Sequence, residues 1–558
     1  MRFIVPAVLT AALLSAAHAT PLTRYFPDFP LAVLEARDLQ QSVAQTGSFG
    51  EDTLRFLSTA FDDVIVSEGF ADFPNLPAPL RTAAVRTMVA SIRDLAVGAY
   101  TVGNSPQALV VVRFTPNNPL ATLFARSFND ALARQSASRR LREGNYVALI
   151  DDLAVGVGNN LFYLSTNADL LRAYLRRVNG AALPTLSTNA AYNAVTADTG
   201  TGFWNTFVNA SAIARVLERA GEASPRELNV LRTLNLTGGA ATITADGMET
   251  KSVTQLNPNG GDAALYKLLT YKPQDLELLR ELPSNAPNAS VLASDTAGWL
   301  EYAQGWFAEA GLSAAEQRQA REVVTQLGTR LGNEWGVVGS ASPDPLSLVA
   351  LFTLFGVNNV TENALPFTEG LFKPTDAQTA FYAKTQNGAQ VLTDLETAFK
   401  NLVGNDPSMT VERISLGGFE ALKLESQPTS SERAALPAFF IVDKNDTIVI
   451  GSDETQLEAY LTATPLLENP LFAALQLPTG ISGVNFSAPL RPTRAQIDAD
   501  IEKQLSTSGI NDIPAGIVTA YGDWLESYTS RTGITHGYWL NDENKMRLYS
   551  KNEFAWNR

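Results

Sequence analysis

Apolar residues recur along this chain in two rhythms. Short alternating or unbroken runs read as strands, and spacings of three and four read as helices. One strand-to-helix phrase occurs twice: Asn160–Leu175 is NLFYLSTNADLLRAYL and Asp446–Leu461 is DTIVIGSDETQLEAYL. In each, an apolar run (Leu161–Leu164; Ile448–Ile450) stops at small polar residues, Ser165-Thr166-Asn167 or Gly451-Ser452-Asp453. Such side chains accept the orphan amides of a helix start. Leu171, Tyr174 and Leu175, like Leu457, Tyr460 and Leu461, then fall on one helix face, which predicts their burial. Both ends of the phrase shift by 286 residues (446 − 160; 461 − 175).

Other segments echo in the same order. Phe26–Pro30 leads into Leu31–Asp38 as Leu282–Pro287 leads into Ala289–Asp295, with prolines before each strand. Leu80–Leu95 and Ala314–Leu331 have the spacing of amphipathic helices. The strand pair Ala96–Thr101 and Ala108–Phe114 matches Gly336–Ser340 and Leu346–Phe352. The unbroken run Leu109–Val112 is apolar on both faces, which predicts a central strand. Helices Pro119–Arg134 and Ala389–Val403 follow, and about Phe355–Thr385 is extra in the second copy. Gly144–Leu149 answers Gly417–Leu422, and the turn Gly158-Asn159-Asn160 answers Lys444-Asn445-Asp446. Asn189 and Asn469 each cap a short helix, Pro470 taking the first helical position in the second. Phe203–Val208 and Ile481–Phe486 are strands, and a hairpin closes each copy, turning at Asp246-Gly247 and within Asn541–Asn544.

The pattern predicts an α+β fold of two tandem homologous modules, each a mainly antiparallel sheet with helices packed on it. The expected divisions are a signal peptide at 1–19, a first module at 20–262, a connecting segment at 263–281 and a second module at 282–558. Residues 26–262 and 282–550 should be related by a pseudo-twofold. The Pro-led first strand, the Gly-Tyr/Phe-x-Ala-Leu strand, the strand–Ser–helix element and the Asn-Pro-x-Phe cap at Asn469–Phe472 together resemble an uncharacterised family of exported bacterial proteins. That family is a domain of unknown function found in envelope-associated proteins. Asn189-Ala190 departs from the Asn-Pro of the pattern. The resemblance implies an exported, repeated α+β architecture and supplies no catalytic residues.

Composition narrows the function classes. At 558 residues, two or more domains are the prior, and 45% hydrophobic with 18% charged residues is the balance of a folded chain. Arg2, the apolar Phe3–Leu14 and Ala17-His18-Ala19 read as a secretory signal with a small-x-small cleavage site. No other run is apolar for about 18 residues, so no transmembrane segment is expected in the mature chain. A net charge of −15 argues against a nucleic-acid partner and disfavours anionic lipid. Cysteine is absent, and His536 is the one histidine beyond the signal. Disulfides, thiolate nucleophiles, iron–sulfur sites and His-rich metal sites are thereby excluded. The short signal and the lack of disulfides point to a bacterial periplasm or envelope.

No catalytic, cofactor-binding or metal-binding residue is assigned from sequence. Gly156-Val157-Gly158 lacks the third glycine of a dinucleotide loop and falls in a hairpin. His536 aligns with Thr237-Gly238-Gly239, where the first copy has no histidine, so it reads as a strand-end residue and not as half of a triad. Asp62-Asp63, Asp151-Asp152 and Asp542-Glu543 are adjacent acids that point in different directions, unlike a glycosidase pair. Lys444-Asn445-Asp446 and Asn541–Asn544 offer oxygen ligands for calcium but read as hairpin turns. Trp299 and Trp306 read as core, and Arg494 and Asp498 as a solvated helix face. The expectation is a non-enzymatic envelope protein that binds or scaffolds another envelope component, be it protein, polysaccharide or lipid. The alternatives are a carboxylate-dependent hydrolase of envelope polymer and a carrier of an apolar ligand.

Overall fold

The computed structural model describes residues 21–67, 90–115, 140–305, 330–339, 379–403, 409–426, 438–508 and 515–556, apart from short breaks at 104, 151–152, 159, 273–275 and 490, with a few isolated positions at 87 and between 314 and 325. In the first half the strands are β1 (Ala32–Ala36), β2 (Ile92–Val102), β3 (Ser105–Phe114), β4 (Arg140–Glu143), β5 (Tyr146–Ile150), β6 (Ala154–Gly158), β7 (Leu161–Ser165), β8 (Trp204–Asn209), β9 (Leu236–Thr244) and β10 (Gly247–Gln255). In the second they are β11 (Asn288–Ala293), β12 (Leu331–Gly339), β13 (Ala380–Thr385), β14 (Met409–Leu416), β15 (Phe419–Ser426), β16 (Phe439–Asp443), β17 (Thr447–Gly451), β18 (Gly483–Ser487), β19 (Thr532–Asp542) and β20 (Lys545–Phe554).

Every pairing is antiparallel, and together they make one continuous sheet. From the outer edge to the centre the first half runs β4-β5-β6-β7-β3-β2-β1-β8-β9-β10. The second runs β14-β15-β16-β17-β13-β12-β11-β18-β19-β20. β10 and β20 join the halves through nine residue pairs, Gly247↔Glu553 to Gln255↔Lys545. Each second-half strand thus occupies the place of its first-half counterpart, and the fold is α+β as the pattern implies. Ladder partners fix the equivalences. Gly238 opposes Phe207 as His536 opposes Phe486, an offset of 298 residues on the inner strands (536 − 238). That offset carries the pair Val253↔Arg547 onto Glu249↔Lys551 and the pair Lys251↔Tyr549 onto itself. A pseudo-twofold axis therefore passes between Lys251 and Tyr549, perpendicular to the sheet.

β3 is central, as its unbroken apolar run implies. Val110 and Val112 face one buried cluster, and Leu109 and Val111 face another. Its counterpart is β13, not Leu346–Phe352, because β13 pairs with β12 and β17 as β3 pairs with β2 and β7. The stretch 340–378 lies outside the described residues, as do the expected helices at 119–134 and most of 314–331. The helix expected to reach Leu95 ends earlier, since β2 begins at Ile92. A bulge between Ile92 and Asp94 turns both Ile92 and Leu95 inward, which gives a strand the three-residue spacing of a helix.

The repeated phrase forms as predicted. Asn167 accepts hydrogen bonds from the amides of Asp169 and Leu170 at the start of helix Ala168–Val178. Asp453 accepts one from Gln456 at the start of Glu454–Thr462. Leu171, Tyr174 and Leu175, and Leu457, Tyr460 and Leu461, are buried against the same face of the sheet. The asparagine caps do a second job. Asn189 accepts from the Tyr192 amide and donates through Nδ2 to the Asp28 carbonyl. Asn469 accepts from the Leu471 amide and donates to the Ser284 carbonyl at 2.8 Å. Each cap so anchors the Pro-led segment before the first strand. Asn469→Ala removes the cap and leaves the Ser284 carbonyl unpaired; a loss of about 1–2 kcal/mol in urea unfolding is expected.

The opposite face carries a feature that no local sequence pattern signals. Its first-half portion is covered by helices Leu39–Gln45 and Gly47–Ser67 together with Arg494–Ser508 and Ala515–Arg531, the last two contributed by the second half. Phe49, Phe56, Leu57, Leu95, Val110 and Val112 share one core with Ile497, Ile501, Tyr521, Trp524 and Leu525. The exchange is reciprocal. Helices Ala210–Ala220 and Pro225–Leu234 connect β8 to β9, as the crossing helices connect β18 to β19, and they reach the second half's helix Thr296–Gln304. There the Arg226 guanidinium donates to the Tyr302 carbonyl at 2.7 Å and lies 5.0 Å from the Tyr302 ring centre. The boundary at 263–281 divides the strands of the two halves but not their helical layer.

Candidate functional site

Where the halves meet, β9, β10, β20 and β19 form a ladder whose side chains are mostly only part-buried on both faces. The two faces differ in chemistry. One carries His536, Tyr538, Glu249, Lys251, Arg547, Tyr549 and Lys551. The Tyr538 and Tyr549 rings stack at 5.0 Å with 20° between their planes, and the Lys251 ammonium sits 6.0 Å from the Tyr549 ring centre. Arg547 pairs with Asp542 at 2.6 Å and with Asp198 at 3.4 Å, and Lys551 pairs with Asp246 at 2.7 Å. On the four central strands the axis-related positions of this face differ: Gly238 answers His536, Ala240 answers Tyr538, Glu249 answers Arg547 and Val253 answers Lys551, while on the flanking strands Phe207 answers Phe486.

The other face is uncharged, and some of its positions match between the halves, although Ala241 answers Trp539 and Thr250 answers Leu548. Thr237 answers Thr535, Gly239 answers Gly537 and Ser252 answers Ser550, while Thr206 answers Asn485 and Thr254 answers Asn552. Thr237 Oγ1 and Thr254 Oγ1 share a hydrogen bond of 3.1 Å, and Thr535 Oγ1 donates to Asn552 Oδ1 at 3.0 Å in the equivalent place. Asn485 Oδ1 is buried without a hydrogen-bond partner. A Cβ on Gly537 would come within 2.4 Å of that oxygen, so glycine there keeps the Asn485 side chain lying across the strand. On a packed face, likeness between the halves follows from the shape of the core. At part-exposed hydroxyl positions packing makes no such demand.

The residues singled out from sequence fall as follows. His536 lies in mid-ladder between Phe486 and Lys551, with Nδ1 unpartnered. Burial lowers its pKa below the ordinary histidine value, opposed by Glu553 and Glu249 and reinforced by Lys551. Asp542 is tied to Arg547, and Glu543 occupies a left-handed turn position at φ 48°. The side chains of Asp62 and Asp63, and the pair Asp151-Asp152, lie outside the described residues. The turn at 444–446 is a hairpin in which Asp443 and Asp446 accept backbone amides, those of Asp446 and Gly388. Among the described residues no group of three or more His, Asp or Glu side chains is placed to hold a metal ion. Trp299 packs edge-on against Tyr302, and Trp306 is outside the described residues. Arg494 bonds Asp498 at 2.8 Å, and it also reaches Asp523, tying the two crossing helices together.

Among the described residues, hollows lie elsewhere. A cavity of about 10 Å³ beneath helix Ala190–Thr199 is lined by Glu35, Tyr192, Thr196, Thr199 and Asn205 and has room for about one water. Glu35, buried at its rim, accepts from the Thr23 amide and hydroxyl and from Arg37. An open cleft of about 430 Å³ runs between helices Gly47–Ser67 and Ala515–Arg531. Its acids are engaged, Asp52 with Arg55 and Arg531 and Asp523 with Arg494.

No family model and no curated protein matches the chain. A solved structure entitled "Structure of crystal form III of TP0453" aligns over 47% of this chain and 91% of its own, at 12% identity and a TM-score of 0.23. No helix among the described residues is long and apolar enough to cross a membrane.

Proposed function

We propose that the chain is an exported bacterial envelope protein that binds or scaffolds another envelope component, and that its two halves descend from one duplicated module of an uncharacterised exported family. The observation that supports binding is the ladder at the pseudo-twofold axis. Sheet centres are ordinarily the best covered part of an α+β fold, whereas here part-exposed polar side chains occupy both faces between the helical layers. The signal-like Met1–Ala19 supports export, and the chain's negative charge favours a partner other than nucleic acid.

The test is affinity capture from envelope extracts, with the mature-length chain as bait beside a variant carrying Ser252→Arg and Ser550→Arg on one face and a variant carrying Lys251→Glu and Tyr549→Ala on the other. A component held by the unaltered chain and lost with one of these folded variants is the expected result. Equal recovery with all three baits would remove the ladder from the reading, and cytoplasmic retention of the full chain in a bacterial host would remove export.

A further inference from the structure

We infer that the uncharged face of the central ladder is a docking track for a neutral polysaccharide strand, an assignment that rests on the binding reading above. Two rows of side chains cross the sheet side by side. One is Thr206, Gly239, Ser252, Leu548 and Trp539; the other, related to it by the axis, is Asn485, Gly537, Ser550, Thr250 and Ala241. They span strands β8 to β18, on the order of 24 Å at about 4.8 Å per strand.

Neither row contains a charged residue. This is a property of the face and not of the strands, since the same strands present Glu249, Lys251, Arg547, Lys551 and Glu553 on the reverse. An anionic lipid headgroup or an acidic glycan would find no counter-charge here. An apolar ligand would cover hydroxyls and leave them unpaired, which costs about 1–3 kcal/mol for each buried group. A neutral polyhydroxylated chain meets neither penalty. Its hydroxyls can pair with the part-exposed Thr206, Ser252, Thr250 and Ser550. Its C–H faces can lie on the part-exposed Trp539 and on Leu548. Gly239 and Gly537 remove a side chain beside the central serine of each row, where a bulky residue would hold a flat ligand off the floor.

The deciding experiment is affinity electrophoresis of the mature-length chain in gels containing a soluble neutral glucan, a neutral mannan or an acidic alginate. Retardation by a neutral polymer that persists at high salt, with none by alginate, is the expected outcome. Ser252→Ala with Ser550→Ala removes two hydroxyls without adding bulk and should weaken the retardation about tenfold. Lys251→Glu on the reverse face should leave it unchanged. Trp539→Phe, which keeps an aromatic surface, should retain most of it. Mobility unchanged in both neutral polymers, retardation by alginate, or retardation insensitive to the double alanine variant would each overturn the assignment. If envelope capture depends on Ser252 and Ser550 but the captured component is a protein or a charged polymer, the polysaccharide assignment falls while the binding reading stands.

Discussion

Cutting the backbone at the exposed Pro258-Asn259 turn is expected to leave the two halves bound as one particle. A protease site inserted there would yield two fragments on a denaturing gel that still co-elute in gel filtration at the volume of the intact chain. The expectation follows from how the halves are joined. Their β10 and β20 edges share nine consecutive residue pairs, and removing either strand would expose an unpaired ladder. The crossing helices add a second attachment. Trp524, Tyr521 and Leu525 from the second half are buried among Phe49, Phe56 and Leu57 of the first. The Trp524 indole donates to Thr53 Oγ1 at 3.1 Å, and Ser527 donates to Asp52. The reciprocal contact of Arg226 with Tyr302 closes the exchange on the other side of the axis. Two independently folded beads on a linker would separate at micromolar concentration after the cut, and that outcome would show the exchanged helices to be dispensable. The intact chain should also unfold by urea in one transition, despite a length at which separate domain transitions are common.

Much of this architecture is legible in the sequence because the repeated signals are local. The caps at Asn167, Asp453, Asn189 and Asn469 and the apolar triplets such as Leu171, Tyr174 and Leu175 depend on residues within one or two turns. The left-handed turn positions at Asn160, Asn445 and Asp446 are equally local. The partner of β3 is different in kind. Leu346–Phe352 has the apolar content of a strand, but strand identity is set by pairing, and β13 is the segment that reaches β12 and β17. The bulge at Ile92–Asp94 shows the converse, a tertiary feature that gives a strand the spacing of a helix.

The candidate surface was hidden for a related reason. Thr237, Gly239 and Ser252 are unremarkable strand residues in sequence, and only the ladder register sets them beside one another and opposite Thr535, Gly537 and Ser550 across the axis. Along the sequence, likeness between the halves is strongest in the packed phrases, where it reflects the core. The ladder register separates the two faces of the same strands. On one, Gly238 answers His536 and Val253 answers Lys551; on the other, Thr237, Gly239 and Ser252 answer Thr535, Gly537 and Ser550, while Thr250 answers Leu548. A signal was present in the repeated Thr-x-Gly of Thr237-Gly238-Gly239 and Thr535-His536-Gly537, but without register it could not be assigned to a face.

Trp524→Ala should be among the most damaging single substitutions in the chain, with a loss of about 3–5 kcal/mol in urea unfolding. The indole is 5% exposed and lies 5.9 Å from the Phe56 ring, 6.0 Å from Tyr521 and 5.7 Å from Tyr528, in each case nearly parallel. Alanine would open a cavity at the centre of that stack and remove the donor to Thr53 Oγ1. Thr53 keeps its own bond to the Phe49 carbonyl, so the greater part of the loss comes from packing. By contrast, Tyr549→Ala on the part-exposed ladder should cost roughly 1 kcal/mol or less. The location of the damage is more informative than its size. Trp524 belongs by sequence to the second half, yet the core it fills lies over β2 and β3 of the first. Amide hydrogen exchange in the variant should therefore show lost protection at Leu95, Val110 and Val112, with little change at the second-half counterparts Trp335, Phe381 and Ala383. Loss confined to residues 282–556 would mean that the crossing helices stabilise their own half alone. Loss over β2 and β3 would show that a helix pair encoded in one half completes the core of the other.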